Sequence, residues 1–164
     1  MNNVNRVGVR KILVIAAVLG AASSAIAADF TVDFPAGLAC AFSLRIEGNG
    51  GHQIMREFLD ENGNIVRTLT TGTGSALTFT NLNTDVTLSL SSNGAVTNVT
   101  KNPDGSETVV TTGHNILILF PTDVPAGPTT TLYVGRVVFT IDSSGTFILQ
   151  EHRGEAIDIC AALS

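Results

Sequence analysis

The chain has 164 residues, 44% of them hydrophobic and 14% charged, with nine Lys+Arg against fourteen Asp+Glu and a formal charge of −5. That length suits one domain with its own core. The acidic balance, with no basic cluster beyond Lys11, excludes phosphate-backbone binding and speaks against anionic membrane surfaces, both of which rely on Lys and Arg.

Residues 1–27 read as an export signal. Arg6, Arg10 and Lys11 precede the apolar stretch ILVIAAVLGAA, and SSAIA ends it with small residues at Ala25 and Ala27. The apolar stretch is shorter than the roughly 20 residues of a membrane span. Cleavage is expected after Ala27, with an uncleaved anchor as the alternative. Removal takes three of the nine cations and none of the acids, leaving a formal −8. Residues 28–164 are then a single secreted, extracellular domain, with no membrane insertion once the signal is gone.

The two cysteines, Cys40 and Cys160, lie near the start and end of that domain. An oxidising compartment favours a disulfide between them, tying the first element to the last. Strands are predicted at 38–47, 51–60, 64–81, 85–92, 95–101, 106–120, 130–142 and 145–152. Leu77 and Phe79 alternate with Thr78 and Thr80. Val86, Leu88 and Leu90 alternate with Thr87, Ser89 and Ser91. This is the two-residue period of a half-buried strand. ENGN (61–64), SNGA (92–95), NPDGS (102–106) and DSSG (142–145) supply hairpin turns. NLNTD (81–85) reads as a longer hairpin loop, GNGG (48–51) as a turn, and TTGTGS (70–75) as a bulge within one long strand. The fold class is all-β: an eight-stranded antiparallel meander. A closed barrel is favoured over a β-sandwich, because closure would bring the first and last strands together.

Ile116 to Phe120 is apolar at every position, as in a strand covered on both faces. Pro121, Pro125 and Pro128 end it and stiffen the following loop. That loop is expected to fold back over Leu117 and Leu119. The alternative is that the outer face binds a partner. On the next strand, Tyr133, Gly135, Val137, Phe139 and Ile141 share a core face.

Candidate chemistry is sparse. His52, His114 and His152 have no metal-ligand spacing, so no metal and no cofactor are expected. Glu57, Asp60 and Glu61 form a solvated hairpin tip. No nucleophile elbow occurs, and a disulfide removes both thiols. Without tryptophan and with Tyr133 alone among tyrosines, a sugar-stacking surface loses weight. Asn98-Val99-Thr100 is a glycosylation sequon, relevant only in a eukaryotic host. His114 with Asn115 opens the most apolar strand. With Tyr133 and the three prolines they are the candidate ligand or partner contacts.

FPAGLAC (34–40), GHNILILFPTDVPAGP (113–128), VGRVVFTID (134–142) and DICAALS (158–164) resemble a family of small secreted proteins of unknown function from actinobacteria and filamentous fungi. The resemblance implies secretion and a single β-rich domain, and implies no activity. The expected shape is similar to small eight-stranded cups such as allene oxide cyclases, an analogy of fold alone. The expected function is non-enzymatic: binding of a small apolar ligand in a cup, or of a protein partner on the proline-rich loop. The alternatives are an isomerase or cyclase, in which His114, His52 or Arg136 would converge with an acid, and a structural envelope-associated protein.

Overall fold

The computed structural model describes residues 29–164 and the backbone of Ser24–Ile26. The expected signal, 1–27, otherwise lies outside the described residues. The strands are β1 (Ser24–Ile26), β2 (Phe30–Phe34), β3 (Leu44–Asn49), β4 (His52–Leu59), β5 (Ile65–Thr73), β6 (Ala76–Asn81), β7 (Thr87–Leu90), β8 (Gly94–Lys101), β9 (Glu107–Leu119), β10 (Thr129–Ile141) and β11 (Phe147–Asp158). A four-residue helix, α1 (Ile159–Ala162), follows, and the side chain of Asp158 caps it by accepting from the Ala161 N–H. All pairing in the two sheets is antiparallel. The larger sheet runs β1-β4-β5-β8-β9-β10-β11, and the smaller runs β2-β3-β6-β7.

The two sheets are one meander bent at a corner. Asn49 faces Ala76 in the small sheet, and His52 faces Thr73 in the large one, without a change of register. Thr80 facing Thr87 and Thr73 facing Gly94 belong to a second unbroken register. Long two-strand ribbons therefore pass from one sheet to the other through Gly50–Gly51, Gly74–Ser75 and residues 91–93, as strands do at the corners of orthogonal packings. Ser75 Oγ donates to the Gly50 carbonyl at 2.9 Å, the Gly74 N–H donates to the Asn93 carbonyl at 2.9 Å, and Ser92 Oγ donates to the Gly74 carbonyl. These bonds tie the three crossings together.

This corner corrects the expected closed barrel. The large sheet is open, with β1 and β11 at its edges. The eight-strand count fails because 64–81 holds two strands, β5 and β6, and because β1 and β2 precede the first expected strand. GNGG and SNGA are crossings rather than hairpins, and 64–81 is divided between sheets at TTGTGS. The first expected strand begins at Leu44, because 35–43 turns at Gly37 to set Ala39 and Cys40 in the core. The last strand runs on to Asp158. Cleavage after Ala27 would separate β1 from β2.

The β8–β9 ladder stops at Ala95–Gly113. Beyond it, β7 turns away with the small sheet, while residues 114–119 of β9 continue beside β10. The small sheet lies over this upper part of β9 and β10. Leu44, Ile46 and Phe79 pack there with Leu132, and Leu77, Leu88, Leu90, Ile116, Ile118 and Val134 join the cluster. Cys40 and Cys160 close one end of this layer, bonded with a Cα–Cα separation of 5.6 Å. The expected link between early and last elements is present. Asn81 Nδ2 donates to the Leu163 carbonyl at 3.0 Å and Thr130 Oγ1 to the Ala39 carbonyl at 3.0 Å, satisfying buried polar groups at that end.

A second bend crosses the large sheet on one line of register. Gly72 faces Ala95, which faces Gly113, then Gly135, then Gly154. Gly113 has φ +98° and Gly135 has φ +143°, and a Cβ at either would collide with the backbone of the neighbouring strand. Thr111 Oγ1 donates to Asn115 Oδ1 at 2.6 Å across Gly113, whereas residues four apart on a straight strand lie about 13 Å apart. The strand is thus folded about Gly113. Its concave side holds the cluster Val109, Tyr133, Val137 and Phe139, joined by Leu117, Phe147 and Leu149.

This bend determines where the proline loop goes. Val124 exchanges backbone bonds with Phe147 and Leu149, at 2.8 and 2.7 Å, at the start of β11. The buried Asp123 accepts from the Phe120 N–H at 2.7 Å and the Phe147 N–H at 3.2 Å. The loop folds back as expected, but it docks on the start of β11. Leu117 is instead packed within the concave cluster, and Ile116 and Ile118 lie beneath the small sheet. The all-apolar run is therefore covered on both faces.

Candidate functional site

Where β7 and β9 part, the layer between the sheets opens into a cleft of about 460 Å3. Its wall comes from both sheets. Leu77 and Leu90 contribute from the small sheet, and Ile116, Leu132, Val134 and Ile157 from the large one. At the mouth stand His114, Glu155, Ser75, Ser91 and Asn93. The register accounts for the two ionisable groups, since Val134 of β10 faces His114 on one side and Glu155 on the other. All three side chains therefore rise from the same face, with His114 and Glu155 two strand spacings apart, or about 9–10 Å. The opposite end of the layer is shut by the disulfide, Ile159 and Leu163.

The candidate contacts named from the sequence divide between two faces. His114 is exposed at the cleft mouth. Asn115 and Tyr133 are register partners on the concave side, facing away from the cleft. There the Tyr133 ring meets His152 at 5.2 Å, and burial pushes the Tyr133 phenol above its ordinary pKa against the smaller opposing effect of a hydrogen bond with Thr131. The Asn115 amide nitrogen is buried without a partner. Pro121, Pro125 and Pro128 belong to the docked loop and do not line the cleft. Asn98 lies in the middle of β8, half-buried, its Oδ1 shielded and unpartnered.

His52 sits on β4, at the corner, away from the other two histidines. Among the described residues no three His, Cys, Asp or Glu side chains group as metal ligands. Arg136 is held by Glu151 at 3.2 Å, and Glu151 also binds Arg153 at 2.6 Å. Glu155 was missed by sequence reasoning. No motif marks it, and only the register across β10 brings it beside His114. No helix among the described residues is long and apolar enough to cross a membrane. The chain matches no protein-family model, no curated protein and no solved structure.

Proposed function

We propose that this is an exported, non-enzymatic binding protein that holds a small apolar ligand in the cleft between β7 and β9. The observation that carries the reading is the cleft itself. Six apolar side chains line a volume of about 460 Å3, together with Ser75, Ser89, Ser91, Asn93, His114 and Glu155, and an apolar wall with a few polar groups is the usual composition of a small-molecule site. The bonded Cys40–Cys160 pair supports an oxidising, extracellular setting. Export itself rests on residues 1–27.

The test is titration with a neutral, environment-sensitive apolar dye against wild type and Val134→Phe, which would fill the cleft from the β10 wall. Wild type should bind the dye, and the variant should lose binding while keeping its melting temperature within a few degrees. Absence of dye binding by wild type, or equal binding by both proteins, would sink the reading. A second reading, an isomerase or cyclase, is favoured by one observation: His114 and Glu155 face the same cleft from either side of Val134. It predicts that a ligand recovered after incubation is chemically altered. The binding reading predicts that it returns unchanged.

A further inference from the structure

The mouth of the cleft has a sign. Of the side chains that line it, Glu155 alone carries a formal charge at neutral pH, and no Lys or Arg is among them. The other polar groups are partly committed. Ser75 Oγ donates to Gly50, Ser89 Oγ is bonded to Thr78 Oγ1 at 3.2 Å, and Asn93 Nδ2 donates to the Ser91 carbonyl at 3.0 Å. The nearest cations on this face of β10 and β11 are Arg136 and Arg153. They lie across the glycine line, and both are engaged by Glu151. The other described cations are elsewhere: Arg45 on Asp33, Arg67 over the Phe58 ring, Lys101 near Glu107, and Arg56 on β4. The Glu155 carboxylate has neither an ion pair nor a hydrogen bond among the described residues. The whole chain adds a net negative field.

We propose that the cleft selects amphiphiles with a protonated amine head over those with a carboxylate, the apolar chain entering between the sheets and the ammonium group donating to Glu155. This rests on the reading that the cleft binds apolar ligands, and it adds the chemical class. An anionic lipid head would meet an uncompensated carboxylate and find no cation at the mouth. A neutral head would gain nothing from Glu155 beyond a hydrogen bond. Because Glu155 is exposed, its contribution to an ammonium ligand is that of an exposed ion pair, roughly two- to fivefold in affinity and weakened by salt.

The experiment compares a primary alkyl amine, alcohol and carboxylate of equal chain length, about ten carbons, a size suited to small-molecule sites of ~300–1,000 Å3. Each displaces the neutral dye from wild type and from Glu155→Gln, below its micelle concentration, at low and high salt. The expected order for wild type is amine, then alcohol, then carboxylate. Glu155→Gln should remove the amine's advantage over the alcohol. A carboxylate that binds as well as the amine, or an unchanged ranking in Glu155→Gln, overturns the selection while leaving the apolar cleft standing. If no chain of any head group displaces the dye, the cleft reading itself falls and the selection falls with it.

Discussion

Replacing Gly135 with alanine tests whether the line of glycines is what folds the large sheet. At φ +143° the residue occupies a region that essentially only glycine adopts, at a cost of about 1–3 kcal/mol for any other residue. A Cβ there would also overlap the Arg153 carbonyl oxygen and lie 3.1 Å from its carbon and 3.2 Å from the Gly154 Cα. These are backbone atoms of β11, which is held to β10 along its length, so they cannot swing aside as a side chain would. The total loss should reach about 3 kcal/mol or more. Gly145→Ala is the control. Its φ is +84°, and a Cβ would meet nothing within 4 Å, so only the left-handed backbone cost of about 1 kcal/mol applies. The entropy that alanine removes from the unfolded chain is common to both and cancels in the comparison. At about 4 °C per kcal/mol for a domain of this size, Gly135→Ala should melt about 10 °C or more below wild type and Gly145→Ala about 4 °C below. Thermal unfolding followed by circular dichroism reads both. Equal losses, or a milder loss at Gly135, would refute the claim that the sheet bends by close backbone approach along this line.

The disulfide closes a sequence separation of 120 residues. On chain entropy, replacing Cys40 and Cys160 together by alanine should cost about 5 kcal/mol, measured by urea unfolding, and a loss under about 1 kcal/mol would show that the ends are held by packing alone. Acid should weaken the turns. Hydrogen bonds, first from Asn64 and then from the neighbouring backbone, hold the Asp60 carboxyl below its ordinary pKa, and Ser144 and the Thr146 N–H do the same for Asp142. Because the folded values are the lower ones, this stability is fully present above the unfolded value of about 3.9. It is lost as pH falls through the folded values. Asp60→Asn with Asp142→Asn should therefore flatten the fall in unfolding stability below about pH 4, and an unchanged acid slope would contradict the assignment.

The β character of this chain was legible because alternation is local. Leu77 and Phe79 face inward and their threonine neighbours outward, as the two-residue period requires. Tyr133, Val137 and Phe139 are core, as read. The hairpins at 61–64, 102–106 and 142–145 close with the expected backbone bonds, Asp60 to Asn64, Asn102 to Ser106 and Asp142 to Thr146. The corner that replaces the expected barrel was not legible, and the reason is visible at GNGG and SNGA. The positive φ of Gly50 and Gly51 serves a hairpin and a corner equally well, and Asn93-Gly94 has the composition of a tight turn although Gly94 begins β8 in strand conformation. Whether the chain then returns beside itself or continues into another sheet depends on what lies across the strand. Only pairings such as Asn49 with Ala76 and His52 with Thr73, set by residues some twenty to thirty positions away, distinguish the two.

The cleft depends on the same distinction. His114 attracted notice because it opens the most apolar strand, and it does stand at the mouth. Its neighbour Asn115 drew equal notice and faces the other way, since adjacent residues on a strand point to opposite faces. The wall of the cleft has no sequence signature. Leu90 and Ile116 line it because the β8–β9 ladder ends at Ala95–Gly113, and an ended ladder is a relation between two strands rather than a property of either. That point also ties the corner to the cleft. If β7 had continued beside β9, the large sheet would have had no gap at this position, and Leu90 would have packed in the plane of Ile116 instead of across from it. The crossings at Gly50–Gly51, Gly74–Ser75 and residues 91–93 turn the small sheet away. The turn both buries Phe79 and Leu44 against β10 and leaves the opening at Val134. Fold and site are therefore coupled: a change that straightened the corner should close the cleft as well as loosen the core.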